Sequence, residues 1–432
     1  MKPSKFTIEL DIDGSKYLYN SLSNAYAKID EDHYETYLKI KNNDTDYDEK
    51  MSIDLYNGGF VINDNEDEIG YMNFFEKVMR YGSSSLGLTI APTLQCNFRC
   101  KYCYEIHENS FMSDDVHKLL IEFVTKNISR YKNISVSWYG GEPLLAYHTI
   151  INLSKELIKI AEENNVEYNS NMVSNGYLLT KEKAKTLKEV AKLRNVQITL
   201  DGIKEIHDRN RPLIDGQGTF DVILQNIKDI SGILNISLRI NISKENFAEL
   251  FKLIDLLKKE ELLKKVHIYI APVYSMENTE SSKIQYMCLS KSDFADIEIK
   301  FLKYLLEKKI DIGNFYPFSR LVVCGAVSSS SFVIDPEGYL YKCWNFIGNK
   351  KYSIGSLKSG IDTKNKEFLK WVNWEIPVKC INCNLLPICQ SGCASETFYN
   401  DECTARKYNI MQILQLFKKY RDLSANTKGD MH

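Results

Sequence analysis

Eleven cysteines carry the strongest chemical signal in this 432-residue chain, because they are clustered. Cys96, Cys100 and Cys103 stand in the run C-N-F-R-C-K-Y-C. Seven more (Cys324, Cys343, Cys380, Cys383, Cys389, Cys393 and Cys403) follow downstream, Cys288 stands alone, and none precedes residue 96. In a reducing compartment such groups bind metal more often than they pair as disulfides. Three closely spaced thiolates can hold three irons of a 4Fe–4S cube, which leaves the fourth iron open to a substrate. A structural zinc is the competing reading; it wants four closed ligands, and His107 could supply the fourth.

These residues need elements to position them. Strand candidates are Leu86–Gln95, Ile134–Tyr139, Glu167–Val173, Val196–Asp201, Ile236–Ile242 and Val266–Val273, each rich in β-branched or aromatic residues. Amphipathic stretches lie between them, at Ser113–Tyr131, Thr180–Arg194 and Lys244–Lys258, with Ser113, Thr180 and Ser243 as caps. Six alternating strands and helices predict parallel pairing with right-handed crossovers, as three-quarters of an eight-fold barrel or as an open sheet. The first cysteine group then falls at the carboxyl end of the first strand, where α/β folds bind ligands. Before residue 86 the sequence suggests strands at Phe6–Leu10 and Lys16–Tyr19 and a helix at Asp30–Ile40. A hairpin over Tyr56–Asp64 is predicted to turn at Asn57-Gly58-Gly59. After Cys324 the pattern is loop-rich, so metal cross-links would supply missing stability, and an amphipathic helix at Ala405–Leu423 closes the chain.

The length predicts two or three domains. A net charge of −2 gives no nucleic-acid footprint, and 44% apolar with 26% charged residues suits a globular protein. The opening residues lack a signal-peptide core, and no apolar run suits a membrane span, so a cytoplasmic location is expected.

The cysteine run, with Tyr102 at its aromatic position, resembles the signature of the radical S-adenosylmethionine (SAM) superfamily. So does Gly140-Gly141-Glu142-Pro143 after the second strand, where glycines allow close backbone approach to a ligand. The resemblance implies an α/β fold, a partial (β/α)6 TIM-like barrel. It places Tyr102 beside the adenine and Glu142 near the methionine ammonium of SAM. Ser174 and Asn175, in Ser174-Asn175-Gly176, end the third strand where relatives contact the cofactor; Asp201-Gly202 ends the fourth. Ile206–Pro212, I-H-D-R-N-R-P, is similar to the peptide-modifying branch, with Arg211 suited to a carboxylate and Arg239 and Asn241 as further candidates. The implied chemistry is reductive cleavage of SAM to a 5′-deoxyadenosyl radical, which abstracts hydrogen from an unactivated carbon.

The downstream cysteines resemble the SPASM extension, which holds two auxiliary 4Fe–4S clusters and so brings the expected total to three. By that resemblance Cys324, Cys343 and Cys393 ligate the inner cluster, and Cys380, Cys383, Cys389 and Cys403 the outer one. A zinc-ribbon-like domain is the alternative. Seven cysteines serve two cubes that could take eight, so the inner cluster keeps an open iron suited to a substrate thiolate unless Cys288 reaches it. The implied domains are 1–85, a small winged-helix-like module that could recognise a leader peptide; 86–311, the radical SAM core; 312–404, the SPASM domain; and 405–432, a helix and tail. Anaerobic sulfatase maturases, which make formylglycine, look to carry Asp after the cysteine matching Cys343; here Trp344 stands there. That favours the branch forming thioether cross-links in ribosomally made precursor peptides, with a reductant such as flavodoxin or ferredoxin. A non-enzymatic iron–sulfur electron carrier is a further reading. No catalytic acid or base is assigned, and His207-Asp208 has no placed role.

Overall fold

A computed structural model describes residues 1–275, 279–310, 315–320, 324–398 and 402–429. The expected domain boundary at 311/312 lies outside the described residues. The chain divides into two compact units: residues 83–313 with 325–373, and residues 1–82 with 314–324 and 374–432.

The first unit is built on six parallel strands: β1 (Ser85–Ile90), β2 (Asn133–Trp138), β3 (Glu167–Ser174), β4 (Leu193–Thr199), β5 (Asn235–Ile242) and β6 (Val266–Pro272). They neighbour one another in strict sequence order, without the reversal of a doubly wound sheet, and β1 and β6 do not meet. This is the open six-stranded barrel. Alternation explains it: Leu86, Leu88, Ile90, Ile134, Val136 and Trp138 are buried, and the opposite face carries small polar residues. Those bond across strands, Ser135 to Asn169 at 3.0 Å and Ser137 to Asn171 at 2.8 Å. Crossover helices include Asp114–Asn127 and Lys181–Val190, capped by Ser113 and Thr180 as the sequence suggests. The Ser243 cap fails. Asn246 Oδ1 takes the Ser243 amide at 2.7 Å, and its Nδ2 donates to the Asp201 and Asn241 carbonyls, so the helix begins only at Leu250.

Residues 325–373 extend the same sheet. Strand β7 (Ser331–Ile334) pairs in parallel with β1, and β8 (Tyr339–Tyr341) returns antiparallel through a turn with Gly338 at φ +83°. Buried Lys342 donates to the Ser328 and Ser331 carbonyls and so anchors the chain just before Cys343.

The second unit holds a three-stranded antiparallel sheet, Thr7–Ile12, Ser15–Asn20 and Tyr26–Ile29. Asp13 and Gly14, at φ 54° and 75°, make the tight turn that the Asp-Gly pair could have signalled. The helix at Glu31–Lys41 has Asp30 as its cap. The predicted hairpin at 56–64 is absent. Asp48 caps a helix over Glu49–Asn57, Gly58 ends it, and only Val61–Ile62 is extended, paired with Lys2–Pro3. Asn-Gly-Gly is a helix stop here rather than a strand turn, because Ser52 and Leu55 bury a helical face upstream. The final helix is Arg406–Gly429. Among the described residues no helix is long and apolar enough to cross a membrane.

Candidate active site

Residues from each of the six barrel strands or from the loop after it close a cavity of about 270 Å³ at the carboxyl ends of the strands. Cys96, Cys100 and Cys103 line it, with Tyr102, Gly140, Gly141, Ser174, Asn175 and Arg211. Both glycines are forced. A Cβ on Gly140 would lie 2.3 Å from the Thr93 carbonyl oxygen, and one on Gly141 2.4 Å from that of Gln95.

Glu142 and Pro143 do not line the cavity. The Glu142 carboxylate is fully buried and already saturated: it accepts from the Leu144 amide (3.0 Å), the Asn175 amide (2.7 Å) and Ser174 Oγ. It therefore braces the loop after β3 from behind. Asp201 is also off the cavity wall; it accepts from Tyr102 Oη and from the Asn241 amide at 3.2 Å. Tyr102 Oη is the hub, taking donors from Arg211 Nη1 (2.9 Å) and Asn241 Nδ2 (3.1 Å).

The I-H-D-R-N-R-P segment now has a structural explanation. His207 Nδ1 accepts the Asp201 amide at 3.3 Å, and Nε2 faces Thr219 Oγ1 at 3.1 Å. Since Thr219 Oγ1 donates to the Arg211 carbonyl, Nε2 carries the ring proton. Burial holds this imidazole well below its usual pKa. Asp208 accepts the amides of Thr219 and Phe220, at the start of helix Phe220–Ile230. Both residues hold Arg211 in place rather than reach the cavity.

Sequence reasoning missed several lining residues. Tyr139 stacks on Trp344, with ring centroids 5.1 Å apart and planes 11° apart, and its hydroxyl meets that of Tyr104. Glu105 also lines the cavity, as does His107, which the sequence offered as a fourth zinc ligand and whose Nε2 stands 3.5 Å from Cys103 Sγ. Glu105 is buried, with no donor at Oε2 among the described residues; burial, then the charge of Glu142, pushes its carboxyl up to about 8. Its position two residues past Cys103 was the available signal.

The thiols suit an iron–sulfur cluster. None of the eleven cysteines is paired in a disulfide, and burial pushes the Cys96 thiol up to about 12, a cost that a bound cationic centre offsets. In the second unit Cys380, Cys383, Cys389 and Cys403 line one small cavity of about 70 Å³. Cys324 and Cys393 belong to that unit and Cys343 to the barrel unit. Cys288 packs with Val273, Ile284, Met287 and Tyr102, its Sγ 3.5 Å from the Ile284 carbonyl.

An open parallel barrel with a thiol-lined cavity at its strand ends defines a cofactor-dependent α/β enzyme. Residues 90–257 match the Radical SAM superfamily, and the chain is a radical SAM enzyme related to the anaerobic sulfatase-maturating enzymes. It is 28% identical over 346 residues to the cysteine-type anaerobic sulfatase-maturating enzyme of Clostridium novyi, covering 72% of this chain and 88% of that one. With the radical SAM cyclopropyl synthase TigE of Paramaledivibacter caminithermalis it shares 24% over 451 residues, 90% of this chain and 88% of the relative. Among solved structures, the sulfatase-maturating enzyme anSMEcpe with bound AdoMet and Kp18Cys peptide superposes with a TM-score of 0.59 at 18% identity, covering 79% of this chain and 99% of that one. Streptococcus suis SuiB bound to precursor peptide SuiA gives 0.54 at 14%, covering 93% and 97%. The last two show a shared fold.

Proposed function

We propose that this enzyme matures a ribosomally made precursor peptide by forming a thioether, a sulfur-to-carbon cross-link. Cys96, Cys100 and Cys103 would hold the cluster that binds SAM. Cys380, Cys383, Cys389 and Cys403 would hold the outer auxiliary cluster, a reading supported by their shared cavity. By the SPASM resemblance alone, Cys324, Cys343 and Cys393 are proposed for the inner one, which makes three. When bound, cluster and SAM supply the 5′-deoxyadenosyl radical that removes a hydrogen atom from carbon.

The chain's own residues arrange the rest. Gly140 and Gly141 admit the cofactor close to backbone, Ser174 and Asn175 meet it under the brace of Glu142, and the Tyr102–Asp201–Arg211 network fixes its far side. The three-stranded sheet with its short outer strand Tyr26–Ile29 supports leader recognition by strand addition.

The observation that carries the thioether reading is Trp344. It occupies the place after Cys343 where the sulfatase maturases look to have an acidic base, and it fills that place with an indole stacked on Tyr139. An indole N–H donates only and cannot accept a proton.

Co-expression with a cysteine-containing precursor peptide encoded nearby, followed by mass spectrometry, tests this. Loss of two hydrogens per cross-link with blocked thiol alkylation is expected. Recovery of formylglycine would transfer the enzyme to the sulfatase-maturase reaction.

A further inference from the structure

Three carboxylates surround the barrel mouth, and their hydrogen bonds distinguish them. Glu142 is saturated by two amides and a hydroxyl, and Asp201 by Tyr102 and the Asn241 amide. Neither lines the cavity. Glu105 does, and among the described residues it is the one Asp or Glu that does so. It is 8% exposed, and no donor within the described residues reaches its Oε2. Buried acceptors are almost always satisfied, so an orphaned carboxylate oxygen in a ligand cavity marks the place of a donor carried by the ligand. On the same wall Arg211 Nη1 is engaged by Tyr102 Oη and Arg239 Nε by Asn241 Oδ1 at 2.7 Å, while Arg211 Nε, a buried donor, has no acceptor among the described residues.

We propose that Glu105 accepts an N–H from the amino group in the methionyl portion of SAM, the contact that the G-G-E-P motif alone would give to Glu142. This rests on the reading that SAM occupies the Cys96–Cys100–Cys103 cavity. The division of labour follows from the geometry: Glu142 holds the loop after β3, and Glu105 meets the ligand. An ammonium placed beside Glu105 favours its charged form, and hydrogen bonds to a charged acceptor are about twice as strong as neutral ones.

Equilibrium dialysis of SAM against anaerobically reconstituted holoenzyme tests the assignment, with iron and sulfide measured on each sample. Glu105→Ala should weaken SAM binding by about ten- to a hundred-fold. Glu105→Gln, which keeps a neutral acceptor, should lose less than the Ala variant. Iron content should equal that of the wild type in both. Equal SAM affinity in wild type and Glu105→Ala overturns the proposal. So does loss of iron in the Ala variant, which would make Glu105 a support of the cluster. Failure of the wild type itself to bind SAM would instead remove the underlying reading.

Discussion

The Glu142 carboxylate accepts the Asn175 amide at 2.7 Å and thereby ties the loop after β2 to the loop after β3. Removing that acceptor strands two buried amides and a buried hydroxyl. Glu142→Ala should lower unfolding free energy by about 1–3 kcal/mol and weaken SAM binding with it. Chemical denaturation and SAM dialysis on the same preparation check this; unchanged stability would contradict the bracing role.

The His207 imidazole is held neutral by burial, so its folded pKa lies below the unfolded value of about 6.5. Below that pH the unfolded chain takes up a proton that the native state refuses. Stability should therefore fall as pH drops through about 6.5 and level off above it. In His207→Asn the slope should flatten between pH 5 and 7, roughly, at a cost of about 1–3 kcal/mol at pH 8 from the broken link to Thr219. Melting curves across that range decide it; an identical slope would place the titration elsewhere.

Trp344 is nearly half exposed, yet it is stacked on the buried ring of Tyr139. Such pairs contribute about 0.5–1.5 kcal/mol beyond burial. Trp344→Ala should raise KM for the precursor peptide by about two- to ten-fold, with peptide-independent SAM cleavage retained. Steady-state kinetics with varied peptide separate the two; a fall in SAM cleavage alone would place Trp344 on the cofactor side.

Replacing Cys96, Cys100 and Cys103 together by Ala should abolish formation of 5′-deoxyadenosine and remove one cluster's worth of iron and sulfide, leaving the auxiliary iron. Chromatography of the nucleoside product, beside metal analysis, gives the answer. Persistence of SAM cleavage would end the assignment of these thiols.

In the second unit, Glu76 and Arg80 form a buried i,i+4 ion pair, and Arg80 also donates to the Trp374 carbonyl at 2.8 Å. Arg80→Met should cost about 3–5 kcal/mol, because a buried carboxylate is left without its partner. The double variant Glu76→Leu/Arg80→Met should recover much of that loss in thermal melts.

Much of this enzyme was legible from local pattern. Alternating apolar residues locate the six strands, Ser113 and Thr180 mark helix starts, and the cysteine spacing marks the site, because each depends on neighbours a few residues away. Patterns with two local meanings were misread. Asn57-Gly58-Gly59 serves equally as a strand turn or a helix stop, and Ser243 as a cap or as a partner for Asn246. Burial of Leu55 and the reach of Asn246 to Asp201 decided between them.

The residue types and their order along the chain were determined by the sequence itself: a thiol group after the first strand, glycines after the second, an indole after Cys343. Only the tertiary structure decided which carboxylate faces the cavity. Glu142 finds its donors 32 and 33 residues away, at Ser174 and Asn175, whereas no donor among the described residues reaches Glu105 Oε2. A hydrogen-bond acceptor is spent or free according to what folding brings beside it, and no spacing along the chain encodes that.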